Sequence, residues 1–100
     1  MLQVRLTSEF EAWLDGLKDR KAQVRIAARR RQAEAGNLGD WKAIGGRLAE
    51  MRVDFGPGYR LYFTRRANVV IVVLAGGDKS SQERDIRRAQ RLLEDLELQP

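Results

Sequence analysis

Glu50, Arg52, Arg60, Tyr62 and Lys79 are the residues whose types and spacing could do chemistry together. From Arg47 onward apolar and polar residues alternate. Leu48, Glu50, Arg52 and Asp54 fall on one side of a strand, and Ala49, Met51, Val53 and Phe55 on the other. The turn Gly56-Pro57-Gly58 leads into a second strand, Tyr59–Thr64. There Leu61 and Phe63 share one face, and Arg60 and Tyr62 the other. Neighbours on one face of hairpin-linked strands lie side by side, so the polar sets should meet. Lys79 follows the end of a third strand. One carboxylate, one phenol and three cations suit a phosphodiester. Cations hold the phosphate and stabilise charge developing on it, and a carboxylate can take a proton. The same residues also fit a plainly solvated sheet face, on which a Glu50–Arg60 pair would contribute under about 1 kcal/mol.

The elements that must carry these residues read as follows. "LQVRL" (2–6) alternates as a short strand. Ser8 with Glu11 forms a capping box that opens a helix. Phe10, Trp13, Leu14 and Leu17 make its apolar stripe, with Trp13 and Leu17 as expected anchors on the sheet. Asp19 caps a second helix, from about Arg20 to Ala35, which Gly36-Asn37 ends. Residues 37–46, "NLGDWKAIGG", read as a loop. After the two polar-faced strands, "RRAN" (65–68) reads as a turn. "VVIVVLA" (69–75) reads as a strand buried on both faces, and "GGD" as its end. Ser80 with Glu83 opens a last helix, with Ile86, Ala89, Leu93 and Leu96 on its core side. The order is β-α-α-β-β-β-α, an α+β domain spanning 1–100 as a single unit.

Charge adds weaker candidates. The formal net charge is +5, and fifteen of the nineteen basic residues are arginine, which favours phosphate and carboxylate partners. Lys21, Arg25 and Arg29 form a stripe at i, i+4, i+8. Arg84, Arg87, Arg88 and Arg91 form a basic face on the last helix. Either is a candidate footprint for nucleic acid, and either fits a merely wet helix face. Cysteine and histidine are absent, which excludes disulfides and imidazole chemistry. Asp54, Asp78, Asp85 and Glu50 look exposed and scattered, so no metal or other cofactor is expected. "GGDKSS" lacks the spacing of a nucleotide-binding P-loop. "MLQVRLTSEF" lacks the apolar stretch of a signal peptide, and no run is long enough to cross a membrane; a cytoplasmic setting is the expectation.

"GNLGDWKAIGG", "LAEMRVDFGPGYRLYF" and "LAGGDKSSQERDI" together resemble the RelE/ParE toxins of bacterial type II toxin–antitoxin systems. The nearest branch is that of the small HigB-like, phage-related addiction-module killer proteins. The resemblance runs from Phe10 to about Ala89. It implies a RelE-like fold, with an N-terminal strand and helical hairpin packed on a curved, mainly antiparallel sheet. It implies a metal-independent endoribonuclease that cleaves mRNA on the ribosome and so inhibits translation. It further implies a cognate helix-turn-helix antitoxin as partner, with the toxin monomeric alone and in a larger complex with that antitoxin. Matched by motif, Glu50, Arg52, Arg60 and Lys79 take the catalytic positions. Glu50 would be the base for the RNA 2′-hydroxyl, Arg52 and Arg60 the phosphate holders, and Lys79 their helper or the acid. Lys21, Arg25, Arg29, Tyr62, Arg84 and Arg88 are the nucleic-acid-binding candidates. Asp85 stands about where several active members carry a tyrosine or histidine. ParE-type relatives poison DNA gyrase without cleaving RNA, which is the alternative, and a nucleic-acid-binding module without cleavage is a third.

Overall fold

The computed structural model describes residues 2–67 and 70–98. Its elements are β1 (Gln3–Leu6), α1 (Ser8–Asp15), α2 (Arg20–Glu34), β2 (Trp41–Gly45), β3 (Leu48–Val53), β4 (Tyr59–Arg66), β5 (Val70–Asp78) and α3 (Gln82–Glu97), with a single 3-10 turn, Lys79–Ser81, before α3. One mixed five-stranded sheet, ordered β1-β5-β4-β3-β2, runs through the molecule. β1 pairs with β5 in parallel, and the other pairs are antiparallel. The fold is therefore α+β.

Both faces of the sheet are covered. Phe10 of α1 and Ala22, Ile26 and Ala33 of α2 pack on Met51, Val53, Leu61, Phe63 and Val73. On the other face Ala89 and Leu93 of α3 pack on Leu48, Tyr62, Val72, Leu74 and Ala75. A shift in register between Tyr62 and Phe63 leaves Leu74 as an extra residue of β5. That bulge turns both Leu74 and Ala75 toward α3, which strict alternation would forbid.

Several elements differ from the sequence-based expectation, each for a local reason. Residues 41–45 are a strand, not a loop. Trp41–Gly45 is short and flanked by glycines, and it is a strand because β3 supplies partners for its backbone. The cap of α1 is Thr7, whose hydroxyl accepts from Phe10 N, so the Ser8–Glu11 box does not form. That helix stops at Asp15, with Gly16 as cap, and Leu17 packs on the core from the connecting segment. Asp19 caps α2 as expected, accepting from Lys21 N and Ala22 N. Ser80 and Glu83 form no capping box either. Asp78 caps the 3-10 turn by accepting from Ser80 N, and Ser81 precedes α3 without a side-chain cap. Arg65 and Arg66 belong to β4 and Ala67 turns with φ 53°, while Asn68 and Val69 lie outside the described residues.

"GGD" does not end β5 but completes it. A Cβ on Gly76 would overlap the Trp13 ring on one face of the sheet. A Cβ on Gly77 would overlap the Asp85 carboxylate on the other. The two glycines therefore let α1 and α3 approach the same strand from opposite sides. Trp13 is half-buried there, against Phe10 and edge-on to Tyr59. Trp13→Ala should cost about 3 kcal/mol, and Gly76→Ala should destabilise as well, because the added methyl would push the Trp13 ring off the strand. Denaturant unfolding checks both; a Gly76→Ala variant as stable as wild type would refute the close approach.

Candidate functional site

The register of the central strands sets the site. Glu50 lies opposite Tyr62, Arg52 opposite Arg60, and Lys42 opposite Glu50. Arg60 also pairs with Gly77, and Tyr59 with Asp78. The end of β3, the start of β4 and the end of β5 thus meet at one end of the sheet. Lys79 emerges there, beside Gly58 of the Gly56-Pro57-Gly58 turn. That turn needs its glycines, since Gly56 and Gly58 have φ of 56° and 83°. Leu61 and Phe63 are buried on the α1/α2 side and fix the register, which sends Arg60 to the opposite face.

The expected cluster forms, but it is not a solvated face. Glu50 has no exposed surface. Its Oε2 is 3.5 Å from Arg60 Nε, and its Oε1 is 3.7 Å from Arg52 Nη2 and 3.6 Å from Lys42 Nζ. Lys42 was missed in the sequence because its strand was; the alternation within "WKAIG" was its only signal. Tyr62 is fully buried between Glu50 and α3, so it is no contact for a large ligand. Its hydroxyl has no hydrogen-bond partner. Burial, then the charges of Glu50 and Asp85, push its pKa far above the ordinary 10.0, with Arg60 opposing.

Asp85, expected at the surface, is buried too. It accepts a hydrogen bond from Ser81 Oγ and stands over Gly77. Asp78 is held below its ordinary pKa, chiefly by the Ser80 hydroxyl, and serves the turn before α3. Lys79 itself is exposed. Among the described residues no histidine, cysteine, aspartate and glutamate group gathers as a metal site requires.

Glu50 cannot touch an RNA 2′-hydroxyl from where it lies. A general base must come within hydrogen-bond reach of the proton it takes, and Arg52 and Arg60 stand between this carboxylate and solvent. The geometry assigns it instead to holding the two guanidinium groups in place.

The α2 stripe divides. Arg29 donates to the carbonyls of Arg52, Leu38 (2.8 Å) and Asp40 (3.2 Å), so it ties α2 to the β2–β3 region and is not free for nucleic acid. Its burial lowers its pKa, with Asp40 opposing. The Arg25 guanidinium lies 4.9 Å from the Phe55 ring centre, a cation–π contact. Lys21 alone is simply exposed. On α3, Arg84, Arg87 and Arg91 are exposed, and Arg88 is 3.9 Å from Glu9.

No family model matches the chain. An uncharacterized protein of Haemophilus influenzae is 39% identical over 97 residues, covering 97% of this chain and 98% of that one. The chain belongs to the same family as that protein. The similarity spans every element described above, so this family shares the whole domain and not only the central strands. No helix among the described residues is long and apolar enough to cross a membrane.

Two measurements check the site's architecture. Arg29→Met should destabilise the fold by about 2 kcal/mol, because the part-buried carbonyls of Arg52 and Leu38 lose a charged donor, whereas Lys21→Ala should be silent in the same unfolding assay. Tyr62→Phe should cost little at pH 8, since it removes a hydroxyl that has no partner. Because the folded-state pKa of Tyr62 is raised, the stability this tyrosine contributes is complete below pH 10 and declines above it. The variant should therefore be the more stable protein at pH 11, and equal stability curves through that range would contradict the burial.

Proposed function

We propose that this protein is the toxin of a type II toxin–antitoxin module of the RelE/ParE superfamily, acting as a metal-independent, ribosome-dependent mRNA endonuclease. One observation carries the reading. Arg52 and Arg60 are opposed across β3 and β4, with Lys42 beside them and Lys79 at the same end of the sheet. That is a cationic edge fit for the phosphate backbone of a single strand. The element order, with β2 added at the edge, is compatible with a RelE-type arrangement of hairpin and sheet.

In this reading the RNA's own 2′-hydroxyl attacks the adjacent phosphorus, and the 5′-oxygen leaves. Arg52 and Arg60 hold the phosphoryl oxygens as they gain charge, and guanidinium forks suit that geometry. Lys79 is the exposed group placed to assist the leaving oxygen. With Glu50 buried, no accessible carboxylate lies between the arginines among the described residues, and the 2′-hydroxyl gives its proton to water. Alignment of the mRNA by the ribosome then supplies much of the barrier reduction; positioning alone is worth up to roughly 7–11 kcal/mol. The arginines of α3 give a second basic surface for the ribosome. A helix-turn-helix antitoxin would neutralise the toxin by covering the cationic edge.

Arg60→Ala should abolish growth inhibition and mRNA cleavage. Because it also takes a counter-ion from the buried Glu50 it should lower stability, so the assay is run where the variant is still folded by circular dichroism. Arg60→Lys should restore little activity, because a point charge does not replace the fork. Translation in vitro with primer extension reads the cut directly. Persistent cleavage in the Arg60→Ala variant would refute the assignment. Growth arrest with intact mRNA and inhibited DNA gyrase would replace it with the poisoning activity.

A further inference from the structure

Arg52 and Arg60 face each other directly across an antiparallel pair, where like charges repel. Glu50 lies between them and is shared with Lys42 as well. Among the described residues, three cations thus share the one carboxylate within 4 Å of them, and Asp85 stands over Gly77, the residue paired with Arg60. The contacts are loose. They measure 3.5–3.7 Å, against about 2.7–2.9 Å for a charge-assisted hydrogen bond. Both Glu50 oxygens, and Nε of both arginines, are buried without a hydrogen-bond partner.

Burial is also graded across the cluster. Side-chain exposure is 0% for Glu50, 15% for Arg60, 34% for Arg52 and 55% for Lys42. The cations form a layer whose inner flank meets the carboxylate and whose outer flank meets water.

We infer that Glu50 is an internal counter-ion that divides the attraction of Lys42, Arg52 and Arg60, and so sets how tightly these cations hold a phosphate group docked on their outer side. The inference rests on reading this edge as a phosphate-binding surface, and adds that Glu50 limits its affinity. A phosphate on the outer flank and the carboxylate on the inner flank repel one another and compete for the same donors. Removing the inner charge strengthens the outer interaction. One unit charge several ångströms away, partly screened, corresponds to about a tenfold change in affinity. An affinity limited in this way would let the edge release free RNA and hold a strand only when other contacts align it.

The test titrates inorganic phosphate, at constant ionic strength, into the wild-type protein and its Glu50→Gln and Arg60→Ala variants. In the wild type, the Arg52 and Arg60 Nε–H resonances should shift on titration. The Glu50 carboxylate carbon should shift with the same midpoint, because two competing anions respond to each other reciprocally. Glu50→Gln should bind phosphate about tenfold more tightly, and Arg60→Ala should lose binding. A folded Glu50→Gln variant that binds no better than wild type would overturn the inference. Should that variant not fold, a Glu50 carbon resonance that ignores phosphate in the wild type would overturn it equally. Phosphate binding of the expected pattern without any mRNA cleavage would sink the endonuclease reading and leave the counter-ion role standing. Cleavage alongside unimproved binding by Glu50→Gln would do the reverse.

Discussion

A carboxylate without contact with water stays charged only when cations surround it, and the neighbourhood of Glu50 is arranged around that constraint. Desolvation of an unpaired carboxylate would cost several kcal/mol. Lys42, Arg52 and Arg60 answer it from three adjacent strands. The demand reaches into the architecture. Lys42 is available only because residues 41–45 pair with β3. Arg60 is available only because the Gly56-Pro57-Gly58 turn and the buried Leu61 and Phe63 set the β3–β4 register. A one-residue slip of β2 would carry Lys42 to the α1/α2 face, and a slip of β4 would carry Arg60 there, while Arg52, two residues along the same strand, would stay beside Glu50.

The second organising feature is the pair of glycines in β5. A strand that takes a tryptophan on one face and a carboxylate on the other, at consecutive residues, has no room for side chains of its own. Gly76 and Gly77 bring α1 and α3 close to the same backbone segment. This places Asp85 over the strand end from which Lys79 leaves, and buries Tyr62 beneath α3. Packing and charge are coupled here. The helix that completes the second core layer also roofs the polar cluster, and so raises the pKa of Tyr62.

The cationic edge and the buried acid beneath it suggest a division of labour. In the proposed reading, the more exposed donors meet a phosphate, while the buried carboxylate beneath them moderates their strength. Arg29 shows the same economy in another form. Its charge reads as a binding candidate in sequence, yet its donors go to three backbone carbonyls of the β2–β3 region. A basic residue's role depends on what its guanidinium reaches, and that is a tertiary property.

Local signals in the chain were enough for the helices, the three long strands and the meeting of Glu50, Arg52, Arg60 and Tyr62. Each follows from period, turn chemistry or cross-strand alternation, which act over a few residues. The cap of α2 at Asp19 and the core side of α3 were legible for the same reason. Burial was not legible. Alternation placed Glu50 and Tyr62 on a polar face, but a period of two says which face a residue joins, not what covers it. Only the docking of α3, permitted by Gly77 and the bulge at Leu74, decided that this face is half core. Strand β2 was likewise undetermined by its own five residues, because an edge strand's hydrogen bonds belong to its partner. The sequence by itself determined which side chains share a side of the sheet; the tertiary structure decided which of them still meet water, because burial is a property of the neighbours and not of the pattern.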